Sequence, residues 1–212
     1  EIAILILLGA ARRAKEGMEW AKKKNWKWSA DFLMGKQLTG SRLGILGMGR
    51  IGRAVADRAR SFGMKIHYHN RSRLNKNLEK DSIYHNSLES LLSVSDFFSI
   101  NCPSTKETKH IINKKTIKYF PDGAVVSNSA RGDMIDDEAM VSALKSRKIF
   151  SLGIDVYNGE PNIHPEYLNL PNVFVLPHIG SSTVKTRKAM ANLAIENMEE
   201  FFKSGKSKNK VN

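Results

Sequence analysis

Hydrophobic and polar residues follow two different periods along this chain, and the two periods alternate. From Arg42 onward, short and almost continuously apolar runs such as RLGIL (42–46) precede longer segments with helical spacing, such as 50–62. Apolar strands of this kind are expected where helices cover both faces of a sheet. The repeated order of strand and helix therefore predicts an α/β fold with a doubly wound parallel sheet.

The boundaries of the predicted elements follow from the same pattern. The helix over 136–148 begins with acidic residues and ends with basic ones, which matches the helix dipole. Residues 25–40 form an irregular, aromatic-rich arm, and residues 204–212 form a polar tail. The predicted strands are 42–46, 64–69, 96–103, 123–130, 150–156 and 172–177, and the predicted helices are 1–24, 50–62, 87–95, 136–148 and 183–203.

The first predicted helix, residues 1–24, is apolar on almost every side between Ile2 and Leu8. A helix of this kind is buried on several sides, as it is between two domains or two subunits. We therefore expect a homodimer, in which a second copy covers apolar surface that Ile2–Leu8 would otherwise expose. The apolar run ends at Ala11, far short of the ~20 residues that a membrane-spanning helix needs, so no membrane association is predicted.

Composition and charge change this picture little. The chain has 212 residues, enough for one large domain, and a formal net charge of +13. The basic residues are spread along the chain without a nucleic-acid motif, so we expect a solvated basic surface and no nucleic-acid partner. Cys102 is the single cysteine, which excludes an internal disulfide and favours a cytoplasmic location. The histidines show no ligand spacing, and we predict no metal site.

A glycine-rich turn, GILGMGRIG (44–52), follows the first helix and arm. Gly47 allows a tight turn, Gly49 lets a pyrophosphate approach the backbone, and Gly52 lets the next helix pack closely on the strand. The positive end of that helix would face the phosphates. A glycine-rich turn without a ligand is the alternative, but the strand before the turn and the helix that opens inside it favour a dinucleotide site.

The residues after the second strand bear on which dinucleotide is bound. A site that prefers NAD usually carries Asp or Glu there, which binds the ribose 2′-hydroxyl. This chain instead has Asn70, Arg71, Ser72 and Arg73, which offer two guanidinium groups and a hydroxyl for a 2′-phosphate. We therefore predict NADP(H) as the preferred cofactor and NAD as the second candidate. A basic surface loop is the alternative interpretation of the two arginines.

Three further predicted strands each precede a polar residue suited to one reaction. Arg131, Glu160 and His178 follow strand ends, where open α/β sheets bind their ligands. Arg binds a carboxylate through two parallel hydrogen bonds, His exchanges a proton near neutral pH, and a buried Glu orients the His. Each residue alone is better explained as an ordinary loop residue. All three beside a nucleotide turn favour reduction of a 2-oxo acid.

Four longer segments occur in a recognisable order: LGILGMGRIGRAVADRARSFGM, NSARGDMIDDEAMVSALKS, GIDVYNGEP and LPHIGSSTVKTRKAM. In this order they resemble the D-isomer-specific 2-hydroxyacid dehydrogenase family, over essentially the whole chain. The glycine turn, the YHNRSR segment and the last segment are most similar to glyoxylate/hydroxypyruvate reductases. The resemblance implies a Rossmann-type domain and NADPH-dependent reduction of glyoxylate or hydroxypyruvate.

The resemblance also implies roles for particular residues. Arg131 would bind the substrate carboxylate and carbonyl, His178 would donate the proton, and Glu160 would be the partner of His178. Asp155 would hydrogen-bond the nicotinamide carboxamide. The other residues expected at the cofactor are Gly47, Gly49, Arg50, Ile51, Gly52, Asn70, Arg71, Ser72, Arg73, Cys102, Pro103, Ser129, Ala130 and Gly180.

The resemblance bears on domain organisation as well. Members of the family begin with part of a substrate domain that precedes the long first helix, and this sequence does not contain that part. We therefore expect an N-terminally truncated chain that binds NADP(H) and has little reductase activity alone. The expected domains are a dinucleotide-binding domain at 1–182, led by the helix at 1–24 and the arm at 25–40, and a C-terminal helix and tail at 183–212, which would return to the missing substrate domain.

Two other functions stay open at this point. A dehydrogenase for another D-2-hydroxy acid, such as 3-phosphoglycerate or D-lactate, would carry the same motifs, because much of the substrate pocket lies in the missing part. A non-enzymatic, dinucleotide-sensing protein similar to the corepressors of the family would keep the same three polar residues.

Overall fold

The computed structural model describes residues 1–24 and 26–209; Asn25 of the predicted arm and residues 210–212 of the predicted tail lie outside the described residues. The strands are β1 (Arg42–Leu46), β2 (Lys65–His69), β3 (Ile83–Tyr84), β4 (Phe97–Ile100), β5 (Ala124–Asn128), β6 (Ile149–Ile154) and β7 (Val173–Val175). The α-helices are α1 (Ile2–Ala11), α2 (Ala14–Lys23), α3 (Arg50–Ser61), α4 (Lys76–Glu79), α5 (Leu88–Leu92), α6 (Asp137–Lys145), α7 (Pro165–Asn169) and α8 (Val184–Ser204).

In residues 1–24 and 26–209, seven strands form one sheet in which every neighbouring pair is parallel. The strand order is β3-β2-β1-β4-β5-β6-β7, so the chain winds outward in one direction up to β3 and in the other direction from β4 to β7. This order confirms the predicted doubly wound sheet of a Rossmann-type fold. The winding reverses between β1 and β4, and the crevice at the carboxyl ends of the strands there is where such sheets bind ligands.

Helices cover both faces of the sheet. Successive strand residues point to opposite sides, so chain neighbours pack against different helices. Phe97 and Val125 are buried in a cluster with residues of α1 and α3. Their chain neighbours Phe98 and Val126 are buried in a second cluster, with residues of α5 and α6. Burial on both sides accounts for the almost continuously apolar strand sequences.

Helix α1 lies on the sheet, mainly against β5 and β6. The side chains of Ile6 and Leu7 are fully buried there, and Leu5 is 46% exposed. Gly153 of β6 permits this close approach, since a Cβ atom at that position would lie 2.1 Å from the backbone oxygen of Ile6. The sheet thus buries part of the Ile2–Leu8 run without a second copy, and the expectation that a second copy covers the remainder stays a prediction.

The prediction of a single helix over 1–24 is wrong, because the chain turns between α1 and α2. Arg13 adopts the left-handed conformation, with φ of 55°, which ends the run of helical hydrogen bonds. The backbone N–H of Lys36 donates to the oxygen of Ala11 at 2.8 Å, so the end of α1 is bonded by the arm. At the start of α2, the Arg13 guanidinium donates to both carboxylate oxygens of Glu16, at 2.7 and 2.8 Å.

The chain divides into two units, residues 1–178 and 179–212. The first unit contains the whole sheet. The second contains α8, where the Thr183 hydroxyl caps the helix by accepting a hydrogen bond from the Thr186 N–H at 3.1 Å. This division falls just before the boundary predicted after residue 182, and the roles predicted for the two parts stay predictions.

Candidate functional site

The three glycines of the turn after β1 have different surroundings. Gly47 has φ of 91°, and a Cβ atom there would lie 2.5 Å from the backbone nitrogen of Cys102. A Cβ atom on Gly52 would lie 2.2 Å from the backbone oxygen of Gly47, so a larger residue would push α3 away from the turn. A Cβ atom on Gly49 would meet nothing within 4 Å. The turn is therefore closed on one side and open at Gly49.

Gly49 is also the N-cap residue of α3. Glycine has no side chain to cap the helix, so the first backbone N–H groups of α3 are available to a ligand. Such groups, together with the helix dipole, attract anions. The open space beside Gly49 and the uncapped helix fit the pyrophosphate of a dinucleotide in shape and in charge.

A cavity of about 540 Å³ lies beside this turn, between the segments that follow β2 and β4. This volume falls within the usual range of cofactor and ligand pockets, ~300–1,000 Å³. The predicted cofactor residues that line it are Gly47, Gly49, Asn70, Arg71, Ser72, Cys102 and Pro103. Residues that the sequence did not single out also line it, among them Met48, Arg53 and Glu107.

Asn70 connects the end of β2 to the glycine turn. Its side-chain oxygen accepts a hydrogen bond from the backbone N–H of Met48 at 2.7 Å. This bond fixes the turn between Gly47 and Gly49, so Asn70 shapes the site through the backbone. Arg71 and Ser72 follow it and line the cavity directly.

Arg73 is a predicted cofactor residue that the structure does not bring to the cavity lining. Its guanidinium donates to the two carboxylate oxygens of Glu79, at 2.9 and 3.0 Å. The Glu79 side chain is only 6% exposed, and its pKa is lowered by Arg73 and by the Tyr68 hydroxyl, which donates to it at 2.8 Å. A buried carboxylate is costly without such partners, and the ion pair with Glu79 keeps the Arg73 guanidinium away from the cavity.

Arg50 and Ile51 were also predicted at the cofactor, and they too lie outside the cavity lining. Both belong to the first turn of α3, where Ile51 is 63% exposed. Cys102 does line the cavity, and burial raises the pKa of its thiol to about 11. The thiol therefore stays protonated near neutral pH and acts as a packing group rather than a nucleophile.

His178 and Glu160 form a close pair after β7 and β6. The Nδ1 atom of His178 lies 2.6 Å from the Oε2 atom of Glu160. The other carboxylate oxygen, Oε1, accepts a hydrogen bond from the backbone N–H of Tyr157 at 2.9 Å. Partial burial alone would raise the pKa of Glu160, but the hydrogen bonds from His178 and Tyr157 and the nearby charge of Arg131 lower it below its ordinary value.

The lowered pKa of Glu160 determines which ring nitrogen of His178 carries the proton of their hydrogen bond. Near neutral pH the Glu160 carboxylate is ionised and can only accept hydrogen bonds. Nδ1 of His178 must therefore carry the proton of the 2.6 Å bond, which leaves Nε2 to exchange a proton with a ligand. The arrangement is that of a histidine oriented by a carboxylate for acid–base chemistry.

Arg131 is positioned by Asn128, the last residue of β5. The Asn128 side chain donates to the backbone oxygen of Arg131 at 2.8 Å and accepts from the backbone N–H of Ala130 at 2.9 Å. The Arg131 guanidinium donates to the backbone oxygen of Ala130 at 2.6 Å and is exposed. The sequence analysis did not single out Asn128, although a polar residue at the end of an apolar strand was a signal for it; the structure buries it.

Arg131, Glu160 and His178 line one cavity of about 510 Å³. The segments that carry Arg131 and Glu160 approach each other at Gly132, where a Cβ atom would lie 1.9 Å from the backbone carbonyl carbon of Tyr157. Ser104 and Asp133, which the sequence analysis did not single out, also line this cavity, and the Ser104 hydroxyl donates to the Asp133 carboxylate at 2.7 Å. The structure thus brings the three predicted catalytic residues together, although they come from three separate segments.

The comparisons with known proteins point to one family. The family model of the D-isomer specific 2-hydroxyacid dehydrogenase, NAD binding domain, matches residues 4–180. The chain belongs to this family. The resemblance found in the sequence motifs is thereby confirmed, together with the Rossmann-type fold that it implied.

Individual relatives of this 2-hydroxyacid dehydrogenase domain are longer than the chain. The glycerate dehydrogenase of Hyphomicrobium methylovorum is 46% identical over 205 residues, which are 95% of this chain and 64% of the relative. A structure of a putative D-isomer specific 2-hydroxyacid dehydrogenase from Polaromonas sp. JS6 66 is 47% identical, with a TM-score of 0.96, and the match covers 100% of this chain and 67% of that one.

A third relative was solved with a cofactor. The NADPH-dependent glyoxylate/hydroxypyruvate reductase of Sinorhizobium meliloti, in complex with NADP and malonate, is 32% identical with a TM-score of 0.89. The match covers 97% of this chain and 64% of that chain. The chain therefore spans about two thirds of the length of these relatives.

The remaining residues that the family resemblance implicated lie in neither cavity lining. Asp155 follows β6 and is buried, and its backbone N–H donates to the backbone oxygen of Asn128 at 3.1 Å. Ser129 and Ala130 lie between Asn128 and Arg131, half-buried. Gly180 belongs to the second unit, in a turn before α8.

Within 1–24 and 26–209, no three His, Cys, Asp or Glu residues are grouped so that they could hold a metal ion. In the same part of the chain, each helix is either too short or too polar to cross a bilayer.

Proposed function

We propose that this domain belongs to a reductase that converts glyoxylate or hydroxypyruvate to the corresponding 2-hydroxy acid with NADPH. One observation carries the proposal: the His178–Glu160 pair, with its 2.6 Å hydrogen bond, shares a cavity with Arg131. These residues follow β5, β6 and β7, and the glycine turn follows β1. Acid–base and carboxylate-binding groups thus lie at the same edge of the sheet as a dinucleotide cradle.

The reaction assigns one task to each polar group. The reduced nicotinamide, when bound, supplies a hydride to the carbonyl carbon of the substrate. His178 donates the proton from Nε2 to the carbonyl oxygen, and Glu160 holds the imidazole through Nδ1 and stabilises its protonated form. Arg131 binds the substrate carboxylate, because a guanidinium matches a carboxylate with two parallel hydrogen bonds.

The preference for NADPH rests on the segment after β2. Arg71 and Ser72 line the cavity and offer a guanidinium and a hydroxyl to a 2′-phosphate. Arg73 takes no part in this proposal, since Glu79 binds it. Of the remaining predicted residues, we assign Asp155 to the nicotinamide carboxamide and Ser129, Ala130 and Gly180 to its surroundings. NAD stays the second candidate.

The names of two relatives bear on the substrate. Glycerate, in the name of one relative, is the reduced form of hydroxypyruvate, and another relative is named for glyoxylate and hydroxypyruvate. Both names support a small 2-oxo acid. Dehydrogenases for other D-2-hydroxy acids and a dinucleotide-sensing protein without turnover stay the alternatives, as on the sequence alone.

We also propose a homodimer in the cytoplasm. The aromatic arm supports the dimer, because Trp26 and Trp28 are 52% and 81% exposed. Large exposed apolar side chains in one segment are typical of an interaction surface. The little activity expected of the 212-residue chain on its own is part of the same proposal.

The experiment that tests the proposed function is a substrate panel for the whole gene product. Loss of NADPH absorbance is followed with glyoxylate, hydroxypyruvate, pyruvate and the oxidised form of 3-phosphoglycerate. The proposal predicts the highest kcat/KM for glyoxylate or hydroxypyruvate with NADPH. No turnover of any 2-oxo acid, with dinucleotide binding intact, would favour the sensing protein.

A further inference from the structure

The cavity beside the glycine turn contains an acidic side chain that the sequence did not reveal. No Asp or Glu occurs in 70–73, the segment after β2, and this absence favours NADPH over NADH. Glu107, in the segment that follows β4, lines the same cavity as Arg71. An acid that is missing from one wall of the cavity is thus present on the other.

The topology of the sheet explains why Glu107 and Arg71 line the same cavity. β2 and β4 are the two neighbours of β1, so the segments after them flank the glycine turn on opposite sides. A tight turn positions Glu107: the Thr108 hydroxyl donates to the backbone oxygen of Pro103 at 2.9 Å and accepts from the backbone N–H of Thr105 at 2.7 Å. Glu107 lies on this turn and is exposed.

The charge state of Glu107 follows from its neighbours. The Thr105 hydroxyl lowers the pKa of Glu107 most, and the positive charge of Arg71 lowers it further. Glu107 is therefore ionised near neutral pH. In the part of the chain that the structure describes, neither Glu107 nor Arg71 forms an ion pair within 4.0 Å, and both residues line the cavity.

We propose that Glu107 is a specificity-determining residue, which weakens binding of a 2′-phosphate and thereby sets the balance between NADPH and NADH. The inference rests on the proposed dinucleotide site. A 2′-phosphate beside Arg71 adds about two negative charges to a cavity that already holds one. Glu107 offsets part of the attraction of Arg71, whereas a ribose that keeps its 2′-hydroxyl carries no charge to repel.

The test uses two adenosine fragments that differ only in this phosphate, 2′,5′-ADP and 5′-AMP, with binding measured by calorimetry. We expect Glu107→Gln to tighten 2′,5′-ADP binding about threefold to tenfold, the size of a partly screened charge interaction, and to change 5′-AMP binding less than twofold. The gain should shrink at high salt, because exposed charges are screened. Glu107→Lys should extend the same trend.

Glu89→Gln is the matched control, since it removes one exposed acid from α5, outside the cavity. It should leave both dissociation constants unchanged. An equal change for both fragments in Glu107→Gln, or no change for either, overturns the inference while the dinucleotide site stands. If the parent chain binds neither fragment, the proposed function fails and the inference fails with it.

Discussion

The Nδ1 atom of His178 lies 2.6 Å from the Oε2 atom of Glu160, and the two residues follow different strands of the sheet. Their contact therefore depends on the pairing of β6 with β7. It leaves Nε2 of the imidazole as the atom that exchanges a proton. Substitutions at this pair should separate proton transfer from cofactor binding.

Glu160→Gln should reduce turnover of 2-oxo acids on the order of 10²-fold or more, because an amide no longer enforces the tautomer with a proton on Nδ1. The dissociation constant for NADPH should change less than about twofold, since the glycine turn is untouched. Steady-state kinetics and calorimetry measure the two quantities. Glu89→Gln is the control, because it makes the same change in charge on an exposed residue. If Glu160→Gln turned over 2-oxo acids at close to the parent rate, the role given to Glu160 would be contradicted.

The pKa of Glu160 predicts the pH profile of the proposed reductase activity. Because this pKa is lowered in the folded protein, the carboxylate stays ionised as pH falls through the ordinary range of glutamate. The stabilisation from the pair is present above the ordinary value and is lost only as pH passes the lowered one. We expect kcat/KM to keep its acid limb below the usual pKa of glutamate, and Glu160→Gln to lack that limb. An acid limb that is the same in both proteins would argue against this assignment.

Arg71 and Arg73 should behave differently although two positions separate them. Arg71→Ala should weaken NADPH binding by about tenfold to 100-fold and leave NADH nearly unchanged, since a charged hydrogen bond to a phosphate is lost. Arg73→Ala should instead lower the Tm, because it removes the guanidinium that binds the buried Glu79 carboxylate. Fluorescence titration and calorimetric melting separate the two effects. Equal loss of NADPH and NADH binding in Arg71→Ala would remove the argument for NADPH.

Gly49 and Gly153 allow a second paired test. Gly49→Ala adds a methyl group to open space and should leave the Tm nearly unchanged, while dinucleotide binding weakens about tenfold or more as the pyrophosphate is displaced. Gly153→Ala would place its Cβ atom 2.1 Å from the backbone oxygen of Ile6 and should destabilise the fold by about 1–3 kcal/mol. Unimpaired dinucleotide binding by Gly49→Ala would place the ligand elsewhere.

Most of the sheet was predictable because its strands are buried on both faces and therefore almost continuously apolar. β3 was missed, since it contains only two residues, Ile83 and Tyr84, which pair with β2. The turn between α1 and α2 was missed for another reason. It depends on the left-handed Arg13 and on a hydrogen bond from Lys36, which lies in the arm.

The residues of the candidate site were predictable where a sequence motif contains them. They were less predictable where their role depends on contacts between segments that are distant in sequence. The sequence singled out Arg131, Glu160 and His178, and the fold brings them to one cavity. Adjacency in sequence did not reveal that Arg73 binds Glu79. It also did not reveal that Glu107 faces the cavity, because only the order of β2, β1 and β4 brings that segment beside Arg71.

The most direct test of the proposed function is His178→Ala in the whole gene product, with NADPH binding and glyoxylate reduction measured on the same sample. Because His178 is the proposed proton donor, its removal should lower kcat by about 10²- to 10⁴-fold while the dissociation constant for NADPH stays within twofold of the parent value. Glyoxylate reduction by His178→Ala at the parent rate, with NADPH still bound, would contradict the central claim.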